Sequence, residues 1–218
     1  MKTSDLIHQL QQDLTPVKPQ LTPWKWSLTL FVFINLLALS ISTLLGYRND
    51  FMSILWQWPY WPRLILSLFI LFFSLNLISL VTNPGRTQEK NGTLWLSIFF
   101  AIFTLFIFAH IPAMSISSIK LGFHPVGIKC AKTVLLASLM MAVVILFFAR
   151  KRLVLRPYRV SILTALASLG SALFIIDTHC NFDNFVHIGI FHYLLPLLIM
   201  MAFSLLFFSR ILKKKISL

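Results

Sequence analysis

The sequence predicts an all-α integral membrane protein, a bundle of six transmembrane helices preceded by a short amphipathic helix. Of its 218 residues, 58% are hydrophobic and only 11% are charged, whereas about a quarter of the residues in soluble domains are charged. The apolar residues form six runs, each close to the roughly 20 residues that a helix needs to cross the hydrocarbon core. We predict a helix for every run, because a sheet or an irregular chain would leave backbone groups unpaired in lipid.

The segment before the first run, 1–23, is predicted to stay in the cytoplasm as a retained part of the protein. It is polar and contains no signal-peptide cleavage pattern. Its apolar side chains recur at helical spacing up to Pro16, which predicts a short amphipathic helix. The polar face lacks the Lys and Arg of surface-bound helices, so a groove on a partner protein is as well supported as the bilayer surface. The candidate partner contacts are Leu6, Ile7, Leu10, Asp13 and Leu14.

The membrane domain, 24–210, contains the six predicted spans, and a basic cytoplasmic tail, 211–218, follows it. The fourth and fifth spans are short, so we expect them to stand nearly upright or to thin the bilayer. Thr164, Ser168 and Ala172 place small residues four apart along the fifth span, which predicts close packing at the centre of the bundle. Pro196 is predicted to kink the sixth. The spans are 26–45, 64–81, 94–113, 133–149, 160–176 and 191–208.

The distribution of Lys and Arg predicts that both termini are in the cytoplasm. With that orientation 14 of the 19 basic residues lie on the cytoplasmic side and five on the other. This asymmetry also explains the net charge of +13 without direct contact to nucleic acid. Aromatic residues near the ends of the first two spans are predicted to be interface anchors: Trp24, Trp26, Trp56, Trp58, Tyr60 and Trp61.

Sequence motifs for catalysis are absent, so we expect no enzymatic activity and no cofactor. No acidic residue lies inside a predicted span away from its ends, which disfavours proton-driven transport.

The most unusual stretch follows the fifth span and carries Cys180, Asp183 and His187, with His179 beside them. If the helix continued through this stretch, the first three would share a face, and thiolate, carboxylate and imidazole could then bind a soft or borderline metal ion. The alternative is that these are ordinary polar residues of an extracytoplasmic loop. Cys130 and Cys180 fit no zinc-finger spacing and no Cys-x-x-Cys motif, and both are predicted on the outer side.

The order of several motifs resembles the NrsF family, the bacterial inner-membrane anti-sigma factors named as negative regulators of sigma-F. The matching residues are Asp5-Leu6-Ile7, Leu10 and Asp13 to Val17 before the first span, Gly127-Ile128-Lys129-Cys130 at the fourth, and His179-Cys180 followed by His187 and His192. The resemblance implies an extracytoplasmic-function sigma factor as the cytoplasmic partner. It also implies that Cys130 and Cys180 correspond to the family's paired cysteines, which makes them candidate signal-sensing residues.

The leading hypothesis is therefore a membrane-bound anti-sigma factor of the bacterial inner membrane that releases its sigma factor on a periplasmic stress signal. Two alternatives remain open from the sequence. One is a membrane thiol oxidoreductase or quinone-linked enzyme that uses Cys130 and Cys180, which the missing second dithiol disfavours. The other is a small-solute transporter or a haem-binding subunit that uses His110 and His192, although both histidines lie near span ends.

Overall fold

The computed structural model describes residues 22–56, 60–82, 126–152, 154, 156–181 and 187–213. All regular structure in these ranges is helical, which confirms the predicted all-α class. The third predicted span, 94–113, and the amphipathic helix before the first span lie outside the described residues.

The helices are numbered here in chain order. They are α1 (Pro23–Leu45), the short α2 (Phe51–Ile54), α3 (Tyr60–Val81), α4 (Val126–Ala149), α5 (Pro157–His179) and α6. The last of these is built from four consecutive segments, Ile188–Leu194, Leu195–Phe203, Ser204–Phe208 and Ser209–Lys213. Apart from α2, each is long and apolar enough to cross a membrane.

Helix α5 is the centre of the bundle, as its small residues predict. In its apolar stretch 89% of the residues are buried within the protein, against 22–44% in the other four long helices. Thr164, Ser168 and Ala172 are all fully buried. At Gly170 a methyl group would lie 2.8 Å from the Ser67 carbonyl oxygen and 2.9 Å from the Leu71 nitrogen, so α3 and α5 are in backbone contact there. Small side chains bring helices together in this way, because lipid supplies no hydrophobic force between them.

The outer helices show one buried and one exposed apolar face. On α4, the fully buried Val134, Met141 and Ile145 recur at helical spacing and face the core. The opposite face exposes a second apolar stripe: Leu136, Met140, Val143 and Phe147. A soluble protein would have polar residues there, so the exposed stripe is the surface that contacts lipid.

Two helices are longer than predicted. Helix α4 has 24 residues and begins before the predicted fourth span, 133–149. Helix α5 has 23 residues and extends beyond the predicted fifth span, 160–176, at both ends. At 1.5 Å per residue each reaches about 35 Å, more than the hydrocarbon thickness, so the expectation that these two spans are short was wrong. The apolar runs miss the ends because residues such as Lys129 and Asp177 continue the helical backbone although their side chains are polar.

The sixth span contains two π-helical turns. Residues Ile188–Leu194, which end two positions before Pro196, form one, and Ser204–Phe208 form another. Proline removes a backbone donor and crowds the preceding turn, and a π-helical turn is one way in which a helix accommodates it.

The bundle has two ends that are recognisable by their polar contacts. At the arginine end, defined by Trp26, Ser79 and Arg152, the Arg152 guanidinium donates to the Ser79 Oγ at 3.1 Å and stacks over the Trp26 ring at 4.5 Å. At the thiol end, defined by Cys130 and Cys180, α4 begins and α5 ends. Thr82 lies one helical turn after Ser79, and its hydroxyl is 3.3 Å from the Ser79 carbonyl oxygen. Thr82 and Val126, at the start of α4, therefore lie at opposite ends, as the six-span prediction requires.

The aromatic residues near the first two spans do not all behave as anchors. Trp24, Trp56 and Trp61 are exposed, as interface anchors should be, but Trp26 and Tyr60 are buried. For these two the prediction was wrong. Trp26 lies beneath Arg152, and Tyr60 packs edge-on against Phe51, so their rings fill gaps at the two ends of the bundle. Trp58 lies outside the described residues.

Candidate functional site

The two cysteines meet at the thiol end although 50 residues separate them. Cys130 lies one turn inside α4. Cys180 caps α5 in an extended conformation, and its N–H donates to the Ile176 carbonyl at 2.8 Å. Their Sγ atoms are 3.4 Å apart, and both residues are buried. The sulfur atoms are thus in contact as two thiols and do not form a disulfide, whose S–S length is about 2.05 Å.

Two histidines at the start of α6 complete a cluster around these sulfurs. The Cys180 Sγ lies 3.7 Å from the His187 Nε2. The rings of His187 and His192 pack edge to face with centroids 5.2 Å apart. One ligating atom from each of Cys130, Cys180, His187 and His192 lies within 4.8 Å of all the others, and all four residues are buried. We call this group the Cys₂His₂ cluster.

The buried carboxylate of Asp177 lies beside the Cys₂His₂ cluster. Asp177, in the last turn of α5, places its Oδ1 3.8 Å from the His192 Nδ1, which is longer than a hydrogen bond. Neither Asp177 oxygen and neither ring nitrogen of His192 has a hydrogen-bond partner among the described residues. Buried polar groups are nearly always hydrogen-bonded, so this pair stands out chemically.

The segment that follows α1 packs against the end of α5. The Arg48 N–H donates to the Thr178 carbonyl at 3.1 Å, and the Thr178 hydroxyl donates to the Ser42 Oγ at 3.1 Å. The Arg48 guanidinium also donates two hydrogen bonds, of 2.6 and 2.9 Å, to the Asp50 carboxylate. These bonds from Arg48 hold the pKa of the Asp50 carboxyl below its ordinary value, because they stabilise its charged form. The last turn of α5, which carries Asp177 and leads to Cys180, is thereby fixed in place.

A comparison with protein families decides which group of proteins this arrangement belongs to. The model of the family described as NrsF, negative regulator of sigma F, matches residues 10–213. The chain belongs to the NrsF family. The match covers all the described helices and the Cys₂His₂ cluster, and it confirms the resemblance seen in the sequence. Comparisons with curated proteins and with solved structures find no match.

Membership in the NrsF family implies an anti-sigma role and therefore a sigma factor as partner. The family description is that of a regulator. The candidate partner contacts, Leu6, Ile7, Leu10, Asp13 and Leu14, lie outside the described residues. The candidate signal-sensing residues Cys130 and Cys180 are brought into contact.

The set of metal ligands suggested by the sequence is assembled differently in the structure. Helix α5 ends at His179, so the condition that the helix continues through Cys180 to His187 was wrong. Those two residues meet because His187, at the start of α6, lies beside the end of α5. His179 is directed elsewhere, with its Nδ1 2.9 Å from the Gly46 carbonyl oxygen. Asp183 lies outside the described residues.

Neither His192 nor Asp177 belonged to the metal-ligand set predicted for this stretch, although His192 was named as a possible haem ligand and in the family resemblance. An α-helix turns by about 100° per residue, so residues five apart, such as His187 and His192, would diverge by about 140°. The π-helical turn at Ile188–Leu194 hydrogen-bonds residues five apart and so places the two rings on one side. Pro196 shortly downstream was the available signal for such a turn.

Proposed function

We propose that this NrsF-family chain is a membrane-bound anti-sigma factor of the bacterial inner membrane. It holds an extracytoplasmic-function sigma factor at the cytoplasmic face and releases it when a stress signal reaches the opposite face. The observation that carries this proposal is the family match over residues 10–213, together with five helices suited to crossing a membrane.

The charge distribution supports the orientation. Arg150, Lys151, Arg156 and Arg159 are exposed at the arginine end, whereas Lys129 and Lys132 are the basic residues in the described part of α4 nearest the thiol end. Short loops rich in Lys and Arg stay in the cytoplasm, so the arginine end faces the cytoplasm and the thiol end faces the periplasm. The sigma factor then binds at the arginine end.

The cysteine contact supports a route by which an outer-face signal enters. Cys130 and Cys180 join the start of α4 to the end of α5, and α5 is the helix against which the others pack. A chemical change at these sulfurs would shift the relative position of two helix ends. Release is then a population shift, which requires the signal to favour the releasing state over the holding state.

The N-terminal segment is the proposed sigma contact because its sequence predicts an amphipathic helix and because it precedes α1 on the side proposed to be cytoplasmic. Helices of this kind insert apolar side chains spaced three and four residues apart into a groove on their partner. Leu6, Leu10 and Leu14 are the anchors in this pattern, and Ile7 and Asp13 flank them.

Co-purification tests the proposal. The full chain, tagged and extracted in mild detergent, should bring a sigma factor with it in stoichiometric amount. Replacing Leu6, Leu10 and Leu14 together by Asp should abolish this association, because buried apolar anchors carry most of the binding energy of such helices. The control is the triple variant Gln9→Asp, Gln11→Asp and Gln12→Asp, which adds the same charge on other faces and should retain the sigma factor.

Each outcome has a clear meaning. If the wild-type chain yields no sigma factor, the proposed function fails, and bound quinone with thiol-oxidising activity would favour the oxidoreductase alternative. If the leucine variant keeps the sigma factor, the contact lies elsewhere, and the exposed basic residues of the arginine end become the next candidate.

A further inference from the structure

We propose that Cys130, Cys180, His187 and His192 form a four-coordinate site for a thiophilic divalent ion of the zinc group, Zn²⁺ or Cd²⁺. Two sulfur and two imidazole ligands in a closed arrangement are the donor set that such ions prefer. The site uses the start of α4, the end of α5 and the start of α6, so it exists only in the folded bundle.

The distances agree with tetrahedral coordination. With metal–sulfur bonds of about 2.3 Å and metal–nitrogen bonds of about 2.1 Å, a tetrahedron places its two sulfurs about 3.8 Å apart and a sulfur and a nitrogen about 3.6 Å apart. The Cys130 and Cys180 sulfurs are 3.4 Å apart, and the Cys180 sulfur lies 3.7 Å from the His187 Nε2. Since all four donor atoms lie within 4.8 Å of one another, shifts of about 1 Å complete the geometry.

His192 supplies independent support for a ligand at this position. His192 is buried, with 1% relative exposure, and neither ring nitrogen is hydrogen-bonded among the described residues. Burial of a polar ring without partners is costly, and a metal ion would satisfy one of its nitrogens.

Asp177 fits the role of the group that orients this histidine. Its Oδ1 faces the His192 Nδ1 at 3.8 Å, and a small rotation would make the hydrogen bond that a ligating histidine usually donates to a carboxylate. That bond would leave the Nε2 for the ion. One bound ion would then account for both buried groups that lack a hydrogen-bond partner among the described residues, the His192 imidazole and the Asp177 carboxylate.

The ring of Phe191 packs against His187. The Phe191 ring lies 5.6 Å from the His187 ring, centroid to centroid, and a Cβ at Gly127 would lie 2.6 Å from a carbon of the same ring. A larger residue at 127 would therefore displace the Phe191 ring.

Metal binding is tested on the purified full chain in detergent, reduced and freed of metal by a chelator. Titration with Cd²⁺ should show one ion per chain and an ultraviolet thiolate-to-metal charge-transfer band, and Co²⁺ should give the visible spectrum of a tetrahedral thiolate site. Cys130→Ser and His192→Ala should abolish stoichiometric binding. Asp177→Asn should weaken it about 10- to 100-fold, as expected for a group that orients a metal ligand.

The matched control is His179→Ala, because His179 adjoins Cys180 but contacts Gly46. This variant should bind Cd²⁺ as tightly as the wild type. Gel filtration and the circular dichroism of each variant establish that the bundle is intact. The site is refuted if the wild type binds no stoichiometric Cd²⁺, if the two thiols resist reduction as a disulfide, or if His179→Ala removes binding while His192→Ala does not.

The regulatory meaning of the ion rests on the proposed function, and a second readout separates the two. Transcription from a sigma-dependent promoter should rise with Cd²⁺ in wild-type cells and respond less in His192→Ala cells. If binding in vitro follows the expected pattern but transcription does not, the metal site stands and sensing through it fails. If no sigma factor co-purifies, the proposed function fails while the binding result remains valid.

Discussion

Close packing of α3 on α5 makes Gly170→Ala an informative perturbation. The added methyl group would lie 2.8 Å from the Ser67 carbonyl oxygen and 2.9 Å from the Leu71 nitrogen. Both are backbone atoms of α3, so they cannot move aside by changing a rotamer as a side chain would. The helices must separate or rotate, and α5 packs against every other long helix described.

The size of the effect follows from two opposing contributions. Overpacking a close contact costs about 1–3 kcal/mol, and a contact against backbone belongs in the upper half of that range. Alanine favours a helix over glycine by about 1 kcal/mol, which offsets part of the cost. We therefore expect Gly170→Ala to lower the free energy of unfolding by about 1–2 kcal/mol.

Reversible unfolding in mixed micelles with a denaturing detergent, followed by circular dichroism, measures this difference. Ser171→Ala is the control, because Ser171 is the next residue of α5, is equally buried, and donates its hydroxyl only to the Ser168 carbonyl of the same helix. It should cost less than about 1 kcal/mol. A Gly170→Ala protein as stable as the wild type would show that α3 and α5 do not approach each other as closely as described.

Two further predictions concern the ends of the bundle. Arg152→Met should lower the free energy of unfolding by about 1–3 kcal/mol, because it removes a charged hydrogen bond to Ser79 and a cation–π contact with Trp26. The control in the same unfolding assay is Lys151→Met, which removes an exposed ammonium 4.5 Å from the Phe147 ring and should lower the free energy of unfolding by less than about 1 kcal/mol. Equal losses of stability in the two variants would contradict a special role for Arg152. For topology, alkaline phosphatase fused near Asp50, Ser118 or Phe182 should be active, and fused after Gln88, Arg152 or Leu218 inactive; activity at the C-terminus would refute the six-span arrangement.

The cluster at the thiol end could be predicted only in part. Its two cysteines were expected on one side of the membrane from the charge distribution, and their contact was a reasonable consequence of adjacent helices. His187 was grouped with Cys180, but His179 was named where the structure has His192, because the periodicity used to group residues assumed an α-helix. Where α5 ends at His179 and α6 opens with a π-helical turn, that period no longer holds.

The aromatic residues show a second limit of prediction from the sequence. Hydropathy placed Trp26 and Tyr60 near span ends, which was correct, but it carries no information on whether a ring faces lipid or the neighbouring helix. Arg152, which covers the Trp26 ring, lies 126 residues further along the chain.

The sequence by itself determined that the chain crosses a membrane as helices and that α5 lies at the centre. Both properties are local: an apolar run has no alternative to a helix in lipid, and small residues four apart mark one face wherever the helix packs. The tertiary structure alone decided where the helices end, which rings are buried and that His192 and Asp177 join the two cysteines. These depend on the path of the chain between helices and on contacts between segments far apart in sequence, which no local pattern of residues records.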